Sequence, residues 1–117
     1  MTQTHIGYQT AKALKEFCPE LPEPMDKHTS CWYQTGDKTK LYARITFKND
    51  PSPIFAFQLH DLLSKPFCHA IMSKTKKYRL YDSDVVAAQM GSELFQAYYT
   101  GGLPAVEACL MKMIGGK

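Results

Sequence analysis

No apolar run in the 117 residues approaches the ~20 that cross a bilayer, which argues against a membrane-spanning protein. The opening Met1-Thr2-Gln3-Thr4-His5 has neither the basic region nor the apolar core of a secretory signal. Excess charge is missing too. With 14 Lys and Arg against 11 Asp and Glu, the net charge of +3 is lower than that of a dedicated nucleic-acid binder. Cys18, Cys31, Cys68 and Cys109 are irregularly spaced and lack the paired C-x₂-C pattern of structural zinc sites. Without an export signal, the thiols are expected to be reduced and the protein cytoplasmic. G-x-S-x-G, H-E-x-x-H and G-x-x-x-x-G-K-[ST] are all absent, so no hydrolase elbow, zinc-protease helix or phosphate cradle is written in the chain.

What is present reads as one ordinary globular domain, with 44% hydrophobic and 21% charged residues. Tyr8, Ala11, Leu14, Phe17 and Cys18 recur at helical steps, and Pro19 ends that helix. A proline-rich loop over 19–30 follows. Cys31-Trp32-Tyr33-Gln34-Thr35 and residues 40–48 form a hairpin across a turn at 36–39. In its second strand Leu41, Ala43, Ile45 and Phe47 alternate with polar residues, so that face is expected to be buried. Ile54–Phe57 would add a third strand and complete a meander. Residues 58–73 turn helical, with Pro66 kinking or dividing the helix.

The strongest punctuation lies late in the chain. Ala87, Gly91, Leu94, Phe95 and Tyr98 share a helical face in a helix that starts at Asp82 or Ser83 and runs to about Thr100. Gly91 inside it suggests close approach of another backbone, the sheet or the last helix. Gly101-Gly102 then ends one helix and Pro104 opens the next, whose stripe is Val106, Cys109, Leu110, Met113 and Ile114. The fold class is therefore α+β. It comprises an N-terminal helix, a two- or three-stranded antiparallel sheet, and three or four helices packed on one face. The expected core is Leu14, Phe17, Ile45, Phe47, Leu62, Phe67, Leu94, Val106 and Leu110.

Candidate chemistry is thin. His28, Cys31, His60, Cys68 and His69 are metal-ligand types, but adjacent residues such as Cys68 and His69 diverge on a helix and serve equally as core and surface groups. Asp61, Asp82, Asp84, Glu93 and Glu107 fall where helix caps and solvated faces are expected. A helix-turn-helix reading of residues 84–114 fails, because Glu107 and Lys112 are the only charges on the second helix. No catalytic residue, cofactor or metal is assigned. The better surface is Lys74, Lys76, Lys77 and Arg79 interleaved with Tyr78, together with Trp32, Tyr42 and Arg44 from the hairpin. Such a set suits a protein partner, or nucleic acid through stacked bases and phosphate contacts. A solvated loop beside half-buried aromatics would look the same in sequence.

Three phrases carry a resemblance: Ala56-Phe57-Gln58-Leu59-His60-Asp61-Leu62-Leu63-Ser64-Lys65-Pro66-Phe67-Cys68, then Ala88-Gln89-Met90 with Leu94-Phe95, then Gly101-Gly102-Leu103-Pro104-Ala105-Val106-Glu107. Together they resemble small proteins encoded in bacteriophage and prophage genomes, notably of gut bacteria, across the last two-thirds of the chain. The resemblance brings no catalytic residues. It implies an accessory protein in the cytoplasm of a bacterial host that acts by contact with a host or phage protein. A homodimer is a further option.

Overall fold

The computed structural model describes residues 4–24, 29–74 and 83–115. Helix α1 spans Tyr8–Phe17 and strands β1 and β2 span Ser30–Thr35 and Lys38–Ala43. A 3₁₀ turn follows at Arg44–Phe47, then β3 at Ile54–Phe55, α2 at Leu59–Leu62 and α3 at Lys65–Met72. The last helical run, Ser83–Gly115, is broken at Gly101 and Gly102 into α4 (83–100) and α5 (103–115). This is the expected α+β order. The basic segment 75–82, which includes Asp82, one of the two expected caps, lies outside the described residues. No described helix is long and apolar enough to cross a membrane.

The sheet departs from the expected meander. Its order is β2-β1-β3, with β1 in the centre and both pairings antiparallel. Thr35 pairs with Lys38, so the turn is two residues long rather than four. Gly36 takes φ +62°, the conformation a two-residue II′ hairpin needs at its first position. The second strand also stops earlier than its alternation suggests. Ala43 pairs with Ser30, the first residue of β1, and beyond it there is no strand to extend the ladder. The Arg44 N–H instead donates to the Thr29 carbonyl at 2.7 Å, and the chain coils over Tyr33 into the 3₁₀ turn.

Two expected core residues are consequently on the surface. Ile45 is 66% exposed, and Phe47 lies at the rim against Tyr33 and Tyr42, with ring centroids 4.3 and 5.3 Å away. Phe17 is half-buried at the core's edge. The other expected core residues, Leu14, Leu62, Phe67, Leu94, Val106 and Leu110, are buried. They pack with Ile6, Cys31, Phe55, Phe57, Ile71, Val86, Met90 and Leu103 between the sheet, α1, α3 and the α4–α5 pair. Phe57 meets Phe67 edge to face at 5.1 Å, joining the sheet's end to α3.

Local caps explain the short helices. Gln58 and Asp61 form a capping box on α2, the Asp61 Oδ2 accepting the Gln58 N–H at 3.0 Å. Asp61 is thus a buried cap rather than a solvated carboxylate. Pro66 divides the predicted helix rather than kinking it, because it sits in the first turn of α3 behind the Ser64 N-cap. Helix α1 has no side-chain cap from Gly7, its own N-cap residue. Glu107 of α5, 100 residues away, accepts the Gly7 N–H at 2.6 Å and ties the two ends of the chain together. Gly91 faces the α2–α3 corner rather than the sheet or α5. A Cβ there would lie 3.9 Å from the Leu63 carbonyl, an ordinary contact.

Candidate functional site

The hairpin aromatics expected to form one platform lie on opposite faces of the sheet. Cys31 is the register partner of Tyr42, whereas Trp32 is the partner of Leu41, and neighbouring strand residues alternate sides. The indole of Trp32 is occupied within the fold. Its Nε1–H donates to the Ile6 carbonyl at 3.3 Å, and its ring meets Tyr8 edge to face at 6.3 Å. Tyr42 is half-buried beside Tyr33 and Phe47. Arg44 holds the 3₁₀ turn closed, its guanidinium donating to the Phe47 carbonyl and, at 3.0 Å, to the Asp50 carbonyl.

Lys74 pairs with Glu20 at 3.3 Å, linking the end of α3 to the loop after α1. Both side chains are solvent-screened, so the pair adds little to stability. The Glu20 carboxyl lies below its ordinary range, first through a backbone hydrogen bond of its own and then through Lys74. Lys76, Lys77, Tyr78 and Arg79 lie outside the described residues. Of the expected contact set, then, Trp32, Tyr42, Arg44 and Lys74 each serve the fold, and the structure gathers no single basic–aromatic site from them.

What the hairpin does present is different. Ile45 and Phe47 are exposed in the 3₁₀ turn that follows β2, Leu41 is exposed on the face of β2 opposite Tyr42, and Lys38, Lys40 and Lys48 are exposed along the same stretch of chain. The alternating pattern marked these apolar residues but assigned them to the interior. A second exposed set lies on α4. Phe95 and Tyr98, assigned to one helical face with Leu94, are 54% and 39% exposed, and Tyr99 is 86% exposed. The buried side is instead Val86, Ala87, Met90 and Leu94. Both apolar series run at helical spacing, so α4 is apolar on two sides. Following each series separately would have exposed this in the sequence.

The described residues also line two concavities. Glu93, Gln96, Ala97, Thr100, Ala105, Cys109, Lys112 and Met113 line an open groove of about 640 Å³ between α4 and α5. A smaller hollow of about 360 Å³ is lined by Leu63, Lys65, Asp84, Ala87, Ala88 and Gly91. At its mouth Asp84 accepts from Lys65 at 3.0 Å and contacts His69 Nε2 at 3.2 Å, and these partners hold its carboxyl below the usual range. Cys68, next to His69 in sequence, offers no thiolate there. Its Sγ is buried, donates to the Leu62 carbonyl at 3.4 Å, and burial pushes its pKa up to about 11. Burial also raises Cys18, Cys31 and Cys109, and none of the four is in a disulfide. Among the described residues, no group of three or more His, Cys, Asp or Glu side chains converges as a metal site.

The chain matches no protein-family model, no curated protein and no solved structure.

Proposed function

We propose that this protein is a non-enzymatic accessory factor of phage or prophage type that acts by binding a host or phage protein. The observation that carries the reading is the exposed apolar end of the hairpin. Ile45 and Phe47 stand outside the core in the 3₁₀ turn after β2, in a stretch that also exposes Lys38, Lys40 and Lys48. An apolar anchor inside a charged rim is the usual anatomy of a transient protein interface. The positive charge of that stretch favours a partner whose contact surface is apolar with an acidic border. The raised thiols and the structural work of Arg44 and Trp32 fit a binding role better than a catalytic one. The phage or prophage assignment rests on the sequence resemblance.

The test is affinity capture from bacterial lysate with the wild-type chain and Ile45→Asp in parallel. A partner held through this surface is enriched by the wild type and lost by the variant, and a photo-crosslinker at position 45 attaches to the same protein. Equal capture by both chains, or no protein-specific capture, removes the reading. A second reading, weak nucleic-acid binding, draws on the register that puts Lys38, Lys40 and Tyr42 on one face of β2. Fluorescence anisotropy with single- and double-stranded oligonucleotides decides it. Phosphate contacts strengthen as salt falls, so absence of binding at low salt rejects it.

A further inference from the structure

Successive helix positions are about 100° apart, which places Val85, Ala88, Ser92, Phe95 and Tyr99 on one stripe of α4, opposite its buried face. Each of the five is exposed, and none is charged. Such a stripe on a surface helix calls for a cover. We propose that a second copy of this chain covers it, in an antiparallel, two-fold symmetric α4–α4 contact centred on Ser92.

The sequence of the stripe is self-complementary in that orientation. Val85 and Tyr99 are each seven residues from Ser92, and Ala88 and Phe95 lie four and three residues away. An antiparallel partner therefore sets each Tyr99 over Val85 of the second copy and each Phe95 within one residue of its Ala88. Large side chains meet small ones, and the serines meet on the axis. An isologous contact needs this mirrored arrangement of a patch with itself. Parallel docking would stack the bulky ends against each other and leave the small ends apart.

Charge agrees. Residues 83–100 contain no lysine or arginine, and their acids, Asp84 and Glu93, flank the stripe. In the antiparallel register Asp84 faces the region of Thr100 and Glu93 faces Gly91, so acids do not oppose one another. Asp84 also has Lys65 at 3.0 Å in its own chain. A strongly charged foreign partner would find no counter-charge on the stripe.

Area sets the strength. Large aromatic side chains present about 150–250 Å², so Tyr99 at 86% and Phe95 at 54% exposure offer roughly 280 Å² per copy. With the smaller stripe residues the total for both copies comes to roughly 1,000 Å², the lower bound for a specific interface. The dimer is accordingly weak, with a Kd of roughly micromolar order. This surface is on a different element from the hairpin end discussed above, so the two readings stand or fall separately.

Sedimentation velocity from ~1 to ~500 µM spans such a Kd. The expected result is a concentration-dependent shift from the 13.3 kDa monomer to a species of twice that mass. Tyr99→Glu weakens it by ~10-fold or more, while circular dichroism stays native because the side chain is exposed. The register is tested by mixing Ala88→Glu with Phe95→Lys. Each variant alone is monomeric at concentrations where the wild type dimerises, and the mixture recovers a heterodimer by pairing the new charges. A monomer throughout the range, which would leave the stripe to a foreign partner, overturns the proposal. So does a dimer indifferent to Tyr99→Glu, or a mixture of variants that stays monomeric.

Discussion

Replacing Gly101 and Gly102 one at a time with alanine tests how the α4–α5 corner is built, because the two glycines are needed for different reasons. Gly102 has φ +71° and ψ −164°, a region essentially restricted to glycine. Holding an alanine there costs about 1–3 kcal/mol, and no neighbour causes that cost. The added Cβ would sit 3.7 Å from Pro104 Cδ, an ordinary contact. Gly101 has a negative φ of −142°, which other residues tolerate, but its Cβ would come within 2.9 Å of the Ala105 Cβ. That is an overpacking clash of about 1–3 kcal/mol between atoms with no rotamer to escape into. At this chain length, 1 kcal/mol corresponds to about 4 °C in Tm. Both single variants are therefore expected to melt several degrees below the wild type.

The decisive measurement is a double-mutant cycle with Ala105→Gly, read by urea unfolding. Ala105→Gly alone costs about 1 kcal/mol in helix propensity. It also removes the atom Gly101→Ala strikes, so the cost of Gly101→Ala should fall close to zero in that background, a coupling of ~1 kcal/mol or more. Gly102→Ala should cost the same in either background. Equal losses for Gly101→Ala with and without Ala105, or rescue of Gly102→Ala by Ala105→Gly, would refute this account of the corner.

Other perturbations probe the remaining elements. Glu107→Ala removes the acceptor of the Gly7 N–H and should cost about 1.5–3 kcal/mol by thermal unfolding, as expected for a hydrogen bond to a charged group; a loss below about 0.5 kcal/mol would show the staple to be idle. Ile45→Ser should stay within about 0.5 kcal/mol of wild type, whereas Leu94→Ala should cost about 3–5 kcal/mol. A comparable loss at both sites would put Ile45 back in the core. In native-state maleimide labelling, half-buried Cys109 should react before Cys18, Cys31 and Cys68, and early reaction at Cys68 would contradict its burial. Burial holds the His5 pKa below its ordinary 6.5, with the Asp61 charge opposing the shift in part. The folded state therefore binds this proton less readily than the unfolded chain. The contribution is full above about 6.5 and declines as pH falls through the folded pKa. His5→Gln should flatten that part of the stability–pH curve, and an unchanged slope would rule His5 out as its source.

Local signals were legible where the backbone answers to its own residues. Pro19 ends α1, Pro66 opens α3, and Gly101, Gly102 and Pro104 divide the last helical run, because each restricts or frees torsions whatever surrounds it. The periodic stripe through Leu14, and that through Val106 and Leu110, also identified buried faces correctly, since each helix has one dominant apolar side. The hairpin was less legible. Leu41, Ala43, Ile45 and Phe47 carry a valid strand pattern, yet a strand persists only while a neighbour pairs with it, and β1 begins at Ser30. Trp32 and Tyr42 likewise have the composition of a binding platform, but the register sends them to opposite faces.

The α+β class, the order of the elements, the breaks between them and most of the expected core residues follow from torsional preference and spacing along the chain. Tertiary structure decided the rest. It placed β1 between β2 and β3, turned residues 44–47 out of the sheet, joined Glu107 to Gly7, and chose which of two apolar sides of α4 faces inward. Each of these depends on which segments meet across long stretches of chain, and no local pattern contains that information. The two exposed surfaces arise from the same cause: their residues are apolar enough for a core, and only the packing of the remaining elements left them outside.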